Sequence, residues 1–198
     1  MPLLTPAMIE TLDRIQDWQE PLLKDLHQHP ELSMTEERTC GIIAERLTEL
    51  GYQVHRIGGG VVGVLANGAG RVVLHRADID ALPIREDSGL DYASTATGVD
   101  LTGAQQPVMH ACGHDYHVTT GLGAAAILAE NREDWFGTAV MLFQPGEEFG
   151  DGARRCSAVA PTAPCPTWVW TRWCWPRRSS SASRPWSPAR SPRESSGW

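Results

Sequence analysis

The segment Thr138-Ala139-Val140-Met141-Leu142-Phe143-Gln144-Pro145-Gly146-Glu147-Glu148 runs from uncharged, mostly apolar residues into a Pro-Gly turn and two adjacent carboxylates. A short apolar run closed by turn residues reads as a buried strand, here Thr138–Phe143, because a helix of that length could not bury every side chain. Working outward, Tyr52–Ile57, Val61–Ala66 and Arg71–Ala77 are valine-rich runs punctuated by Gly58-Gly59-Gly60 and Asn67-Gly68-Ala69-Gly70, and they read as further strands. Helical spacing fills the rest. Thr5 before Pro6 is an N-cap with proline at the first helical position, and Met8, Leu12, Ile15, Leu22 and Leu26 follow on one side, with a kink expected at Pro21. Ser33-Met34-Thr35-Glu36 has the form of a capping box and predicts a second helix through Ile42, Ile43, Leu47 and Leu50, ending at Gly51. A third helix is expected over about Val118–Glu130. Strands and helices in alternation, without internal repeats, predict an α/β three-layer sandwich around a mostly buried mixed sheet.

The composition changes abruptly along the 198 residues. Up to Ala153 there are 23 acidic and 9 basic residues, whereas Arg154–Trp198 holds 1 acidic and 8 basic. That last stretch carries six of the eight Trp, seven of the fourteen Pro and nine Ser, with no His, Leu, Ile, Met, Phe or Tyr. Lacking the leucine and isoleucine that supply core burial, and without a sustained period, it is not expected to pack, so the division expected is a folded part over 1–153 and a disordered, low-complexity tail over 154–198. A basic, Trp-bearing tail fits a nucleic-acid or membrane surface. A shift of reading frame near codon 155 in GC-rich DNA explains the Ala, Arg, Pro, Ser, Trp and Gly better, and no nucleic-acid or membrane partner is expected. No apolar run approaches the ~20 residues of a membrane span, and the N-terminus has no basic start or apolar signal core, which predicts a cytoplasmic protein. The five cysteines form no Cys-x-x-Cys pair, which argues against a disulfide framework.

The chemistry-bearing residues fall where predicted strands end. His110-Ala111-Cys112-Gly113-His114-Asp115-Tyr116-His117 gathers imidazoles, a thiol and a carboxylate just before a helix. Thiolate and neutral imidazole suit zinc and similar ions, and the intervening glycine permits a turn that aims both side chains at one centre. Glu147 and Glu148 cannot both point the same way in extended structure, so one can hold a metal while the other faces the substrate. Such a pair alone is an ordinary solvated helix start; beside the Cys/His cluster it becomes specific. In Arg76-Ala77-Asp78-Ile79-Asp80-Ala81-Leu82-Pro83, Asp78 is placed to accept a ring N–H from a metal-bound histidine and Arg76 to pair with a carboxylate. Strand alternation turns His75 to the face opposite Arg76, and it is not included.

These stretches, with Leu26-His27-Gln28-His29-Pro30-Glu31-Leu32-Ser33, resemble in order the amidohydrolase branch of the zinc-dependent aminoacylase and carboxypeptidase family, which includes hippurate hydrolase, N-acyl-amino-acid amidohydrolase and the hydrolases of auxin conjugates. The resemblance covers nearly all of the first 153 residues. It implies the N-terminal part of a metallo-aminopeptidase-like catalytic domain, two divalent ions (Zn, Mn or Co) per site, an N-acyl amino acid as substrate and a homodimer in intact members. It also implies Cys112, His114 and Glu148 as metal ligands, Glu147 as general acid/base and Asp78 as an orienting residue; His117 falls on a family position without a role. Family members continue with a histidine ligand after the Glu-Glu pair, an inserted lid or dimerisation domain and a last histidine ligand, whereas this sequence has no histidine after His117. An incomplete ligand shell binds metal weakly, and half a domain leaves sheet edges without partners, so the expectation is an inactive, aggregation-prone fragment. Two rivals remain: a thiol hydrolase with Cys112 as nucleophile, and a non-catalytic remnant or binding module.

Overall fold

The structure is a computed structural model that describes residues 4–159, with side chains to Cys156. Helix α1 (Pro6–Gln28) begins as expected, Thr5 Oγ1 accepting the amide of Met8, and it continues through Pro21. Its buried stripe is Thr11, Ile15, Leu22 and Leu26, spaced as one helical face. Helix α2 (Glu37–Glu49) starts four residues after Ser33, and its N-cap position, Glu36, makes no side-chain cap bond. The capping box therefore does not form. Ser33 instead donates to Asp80 and Glu36 accepts the amide of Gly146, while the first turn of α2 is satisfied from outside by Glu31, whose carboxylate accepts the amides of Arg38 and Thr39 at 2.9 and 2.7 Å.

Strands β1 (Gln53–Ile57), β2 (Gly60–Asn67), β3 (Val72–Asp78) and β6 (Gly137–Gln144) lie within a residue of their expected bounds. They form one mixed sheet in the order β1-β2-β6-β3, antiparallel except for the parallel pair β3 and β6. β6 is central, and its residues from Ala139 to Gln144 are all buried, which is why its sequence shows no alternation. A short hairpin of β4 (Thr97–Val99) and β5 (Gln105–Pro107) was not legible, since three residues give no period. α3 (His114–Glu130) begins four residues before its expected start.

The two faces of the sheet are covered unequally. On one, Leu26 of α1, Ile43 and Leu47 of α2, and Val118 and Leu122 of α3 close over Phe143 and its neighbours. On the other, Val62, Val140 and Leu142 meet Ile57 and Cys156 of helix α4 (Asp151–Val159). α4 crosses the expected junction at residue 153, and Cys156 is buried. The expected disorder of the tail lies otherwise outside the described residues. β3 is an edge strand with Val73 64% exposed; beside it an open apolar pocket of about 450 Å³ is lined by Val73, Leu128, Trp135, Phe136 and Met141. None of the described helices is long and apolar enough to cross a membrane.

Candidate metal centre

Parallel pairing of β3 with β6 sets Asp78 opposite Gln144, so the residues following both strands leave the same edge of the sheet. The Ile79 amide donates to the Gln144 carbonyl at 3.1 Å and extends that pairing into the loops. Leu82 and Met109 exchange amide bonds of 3.0 and 3.1 Å, and Ala81 donates to the Glu31 carbonyl at 2.8 Å. Four stretches far apart in sequence thus meet at one place. Gly113 has φ +76° with nothing within 4 Å of where a Cβ would stand, so glycine is needed there for its left-handed backbone, which turns the chain into α3. Gly146 (φ +56°) is needed on both counts, since a Cβ would lie 2.5 Å from Met34 Sδ.

One ligand atom from each of His114, Glu147 and Glu148 lies within 4.8 Å of the others, and Asp78, His114 and His117 form an overlapping group by the same measure. Cys112 is in neither group by that measure and is exposed; the Glu148 carboxylate beside it, with slight burial and the charges of Glu147 and Asp80, pushes its thiol up to about 11. A nucleophilic cysteine needs its pKa lowered, so this setting speaks against the thiol-hydrolase reading. A thiolate here requires a compensating cation.

Asp80, not Asp78, receives the ring N–H of His114. Nδ1 of His114 lies 2.8 Å from the Asp80 carbonyl and 3.3 Å from its carboxylate. The same buried carboxylate accepts the Ser33 hydroxyl at 2.6 Å and the Glu148 amide at 3.1 Å. Asp78 instead pairs with Arg76, as expected of Arg76, and stands 3.7 Å from Nδ1 of His117. The chain leaves extended structure at Asp78, so the two-residue period no longer says which aspartate faces the histidine. Burial opposes charge on His114, but Asp80 and, more weakly, Asp78 reverse this and raise it to about 9. Burial would raise Asp80, yet the bonds from His114, Ser33 and the Glu148 and Glu147 amides hold it below the usual carboxylate range. Glu36, missed as a site residue, is buried beneath the Gly146 turn, and its burial pushes it to about 7. His110 is buried with neither ring nitrogen hydrogen-bonded among the described residues, and burial lowers it to about 4. The site is thus a pocket of carboxylates that stabilises positive charge at His114, and its imidazole, thiol and carboxylate donors suit a divalent ion of the zinc type.

Comparison with known proteins gives the family. Peptidase family M20/M25/M40 matches residues 74–168. N-acetyl-L-cysteine deacetylase of Bacillus subtilis is 42% identical over 135 residues, covering 67% of this chain and 30% of the relative. The chain belongs to the M20/M25/M40 family. A second relative, IAA-amino acid hydrolase ILR1-like 5 of Arabidopsis thaliana, is 38% identical over 141 residues, covering 70% of this chain and 30% of its own. The crystal structure of a dinuclear metal binding peptidase of the M20 family from Bacillus subtilis superposes with a TM-score of 0.62 at 35% identity, covering 74% of this chain and 38% of the other. The α/β fold with its mixed sheet is therefore that of M20 relatives, and the chain spans about a third of the length of those it matches.

Proposed function

We propose that this chain is the metal-binding, N-terminal portion of an amidohydrolase that cleaves the amide bond of N-acyl amino acids, and that by itself it is inactive or nearly so. The observation that carries the reading is the meeting of His114, Glu147 and Glu148 within 4.8 Å. Cys112, His114 and Glu148 would hold the ion, Zn, Mn or Co, as one part of a two-ion site. A bound divalent ion supplies a polarised water and a polarised substrate carbonyl. Glu147, 41% exposed and 4.0 Å from His114 Nε2, is the carboxylate that would take the water proton and return it to the leaving nitrogen in an intact enzyme. Asp80 keeps His114 in one tautomer by accepting at Nδ1, which leaves Nε2 for the ion. Asp78, paired with Arg76 beside His117, orients the rim of the site.

The relatives named for N-acetyl-L-cysteine and IAA-amino acid support an amino acid conjugate as the substrate class. The resemblance calls for a histidine ligand shortly after the Glu-Glu pair, and residues 149–198 hold no histidine, which supports inactivity of this chain. We read the division as a folded part to about residue 153 with α4 reaching past it, followed by an out-of-frame tail, and the compartment as the cytoplasm. The test is to purify the 198-residue chain, titrate it with Zn²⁺, and assay hippurate and N-acetyl amino acids. Chelator-sensitive Zn²⁺ uptake without release of free amino acid is expected. Zinc-dependent release would overturn the inactivity, and no uptake at all would overturn the metal reading.

A further inference from the structure

One buried charged constellation lies outside the residues assigned to the ion. His27, in the last turn of α1, is enclosed between two carboxylates: Nδ1 is 2.7 Å from Asp115 Oδ2 and Nε2 is 3.0 Å from Glu86 Oε1. The side chains of Asp115 and Glu86 are 2% and 0% exposed. A ring nitrogen donates to any ionised carboxylate it bonds, since such a carboxylate only accepts. Burial alone would lower the pKa of His27, but the two carboxylates raise it. Glu86 is itself pinned by the Ser88 hydroxyl and the Ser94 amide, and Tyr92 meets the His27 ring edge-on at 5.4 Å.

This constellation ends at the residue next to His114. The N-cap of α3, Gly113, makes no side-chain cap bond, so the first turn of the helix is held by other means. His114 is tied on one side to Asp80, and Asp115 on another to His27. Successive residues project about 100° apart around a helix axis, so two such ties fix its rotation where one would leave a pivot. We propose that His27 is a positioning residue for the candidate metal centre: through Asp115 it sets the rotation of the first turn of α3 and so the direction of His114 Nε2. The proposal rests on the metal reading above.

His27→Gln in the full chain tests it by two readouts. Metal-free amide hydrogen exchange is expected to accelerate about tenfold at residues 114–118 while 122–126 stay within about twofold, because local openings need not spread along a helix packed farther on. Zn²⁺ affinity is expected to fall about 10- to 100-fold, as on loss of an outer support of a ligand. Unchanged exchange at 114–118, acceleration spread evenly over α3, or faster local exchange with Zn²⁺ affinity within about twofold would each overturn the proposal. A parent chain that takes up no Zn²⁺ sinks the metal reading and the proposed consequence with it, whereas the exchange at 114–118 still decides whether the tie exists. Should His27→Gln not fold, Glu86→Gln, which keeps the bond to Asp115, carries the same readouts with about threefold expected effects and the same overturning outcomes.

Discussion

Asp80 accepts the Glu148 amide at 3.1 Å on its carboxylate while its main-chain oxygen lies 2.8 Å from Nδ1 of His114. A single buried residue thus aims an imidazole and anchors the peptide of a carboxylate that faces it. Asp80→Ala is expected to weaken Zn²⁺ binding about 10- to 100-fold, the usual cost of an outer support. Competition against a chromophoric chelator measures it; an unchanged affinity would show that the main-chain bond to His114 suffices without the carboxylate.

The two glutamates have different expected roles, and substitution separates them. Glu148→Gln removes a carboxylate grouped with His114 and should weaken Zn²⁺ binding about 10- to 100-fold, whereas Glu147→Gln should change it by no more than about threefold. Equal losses at both positions would reverse or merge the assignment.

Metal binding and metal-free stability should respond oppositely to pH. With His114 raised to about 9, its charged form stabilises the metal-free fold fully below the ordinary histidine value near 6.5, and that contribution is lost as pH rises through about 9. Binding of an ion requires neutral His114 and deprotonated Cys112, whose thiol stands at about 11, so each ion displaces protons and affinity climbs with pH. Metal-free thermal melts at pH 7 and 10 and Zn²⁺ titrations at pH 6.5 and 8.5 check both signs. A Zn²⁺ affinity independent of pH would exclude His114 and Cys112 as ligands.

Phe143 is fully buried at the centre of the sheet's helical face, beside Gly121 of α3. Phe143→Ala should cost about 3–5 kcal/mol, from lost transfer and the cavity left behind. Urea unfolding reads the change; a loss below about 1 kcal/mol would mean that the neighbouring helices collapse into the space.

The residues that formed elements by burial alone were readable in advance. β6 is continuous and apolar because both its faces are covered, and its bounds follow directly. Ser33-Met34-Thr35-Glu36 misled because its two polar side chains are taken by Asp80 and Gly146, 47 and 110 residues away, partners invisible to a local pattern. For the same reason α3 starts early: His114 and Asp115, polar enough to suggest a loop, find partners on other elements. At the site, residue type drew attention to His114, Glu147 and Glu148, which the fold brings together. Choosing Asp80 over Asp78 required knowing where β3 stops.

The unequal cladding of the sheet makes one seam weaker than the rest. Three helices hold the face around Phe143, while among the described residues the opposite face relies on α4 and on Cys156 in particular. Undocking of that single short helix would bare Val62, Val140 and Leu142 while the opposite face stayed intact. A protease meeting this protein would find its first foothold at α4, before the helices that carry His27 and His114 had loosened.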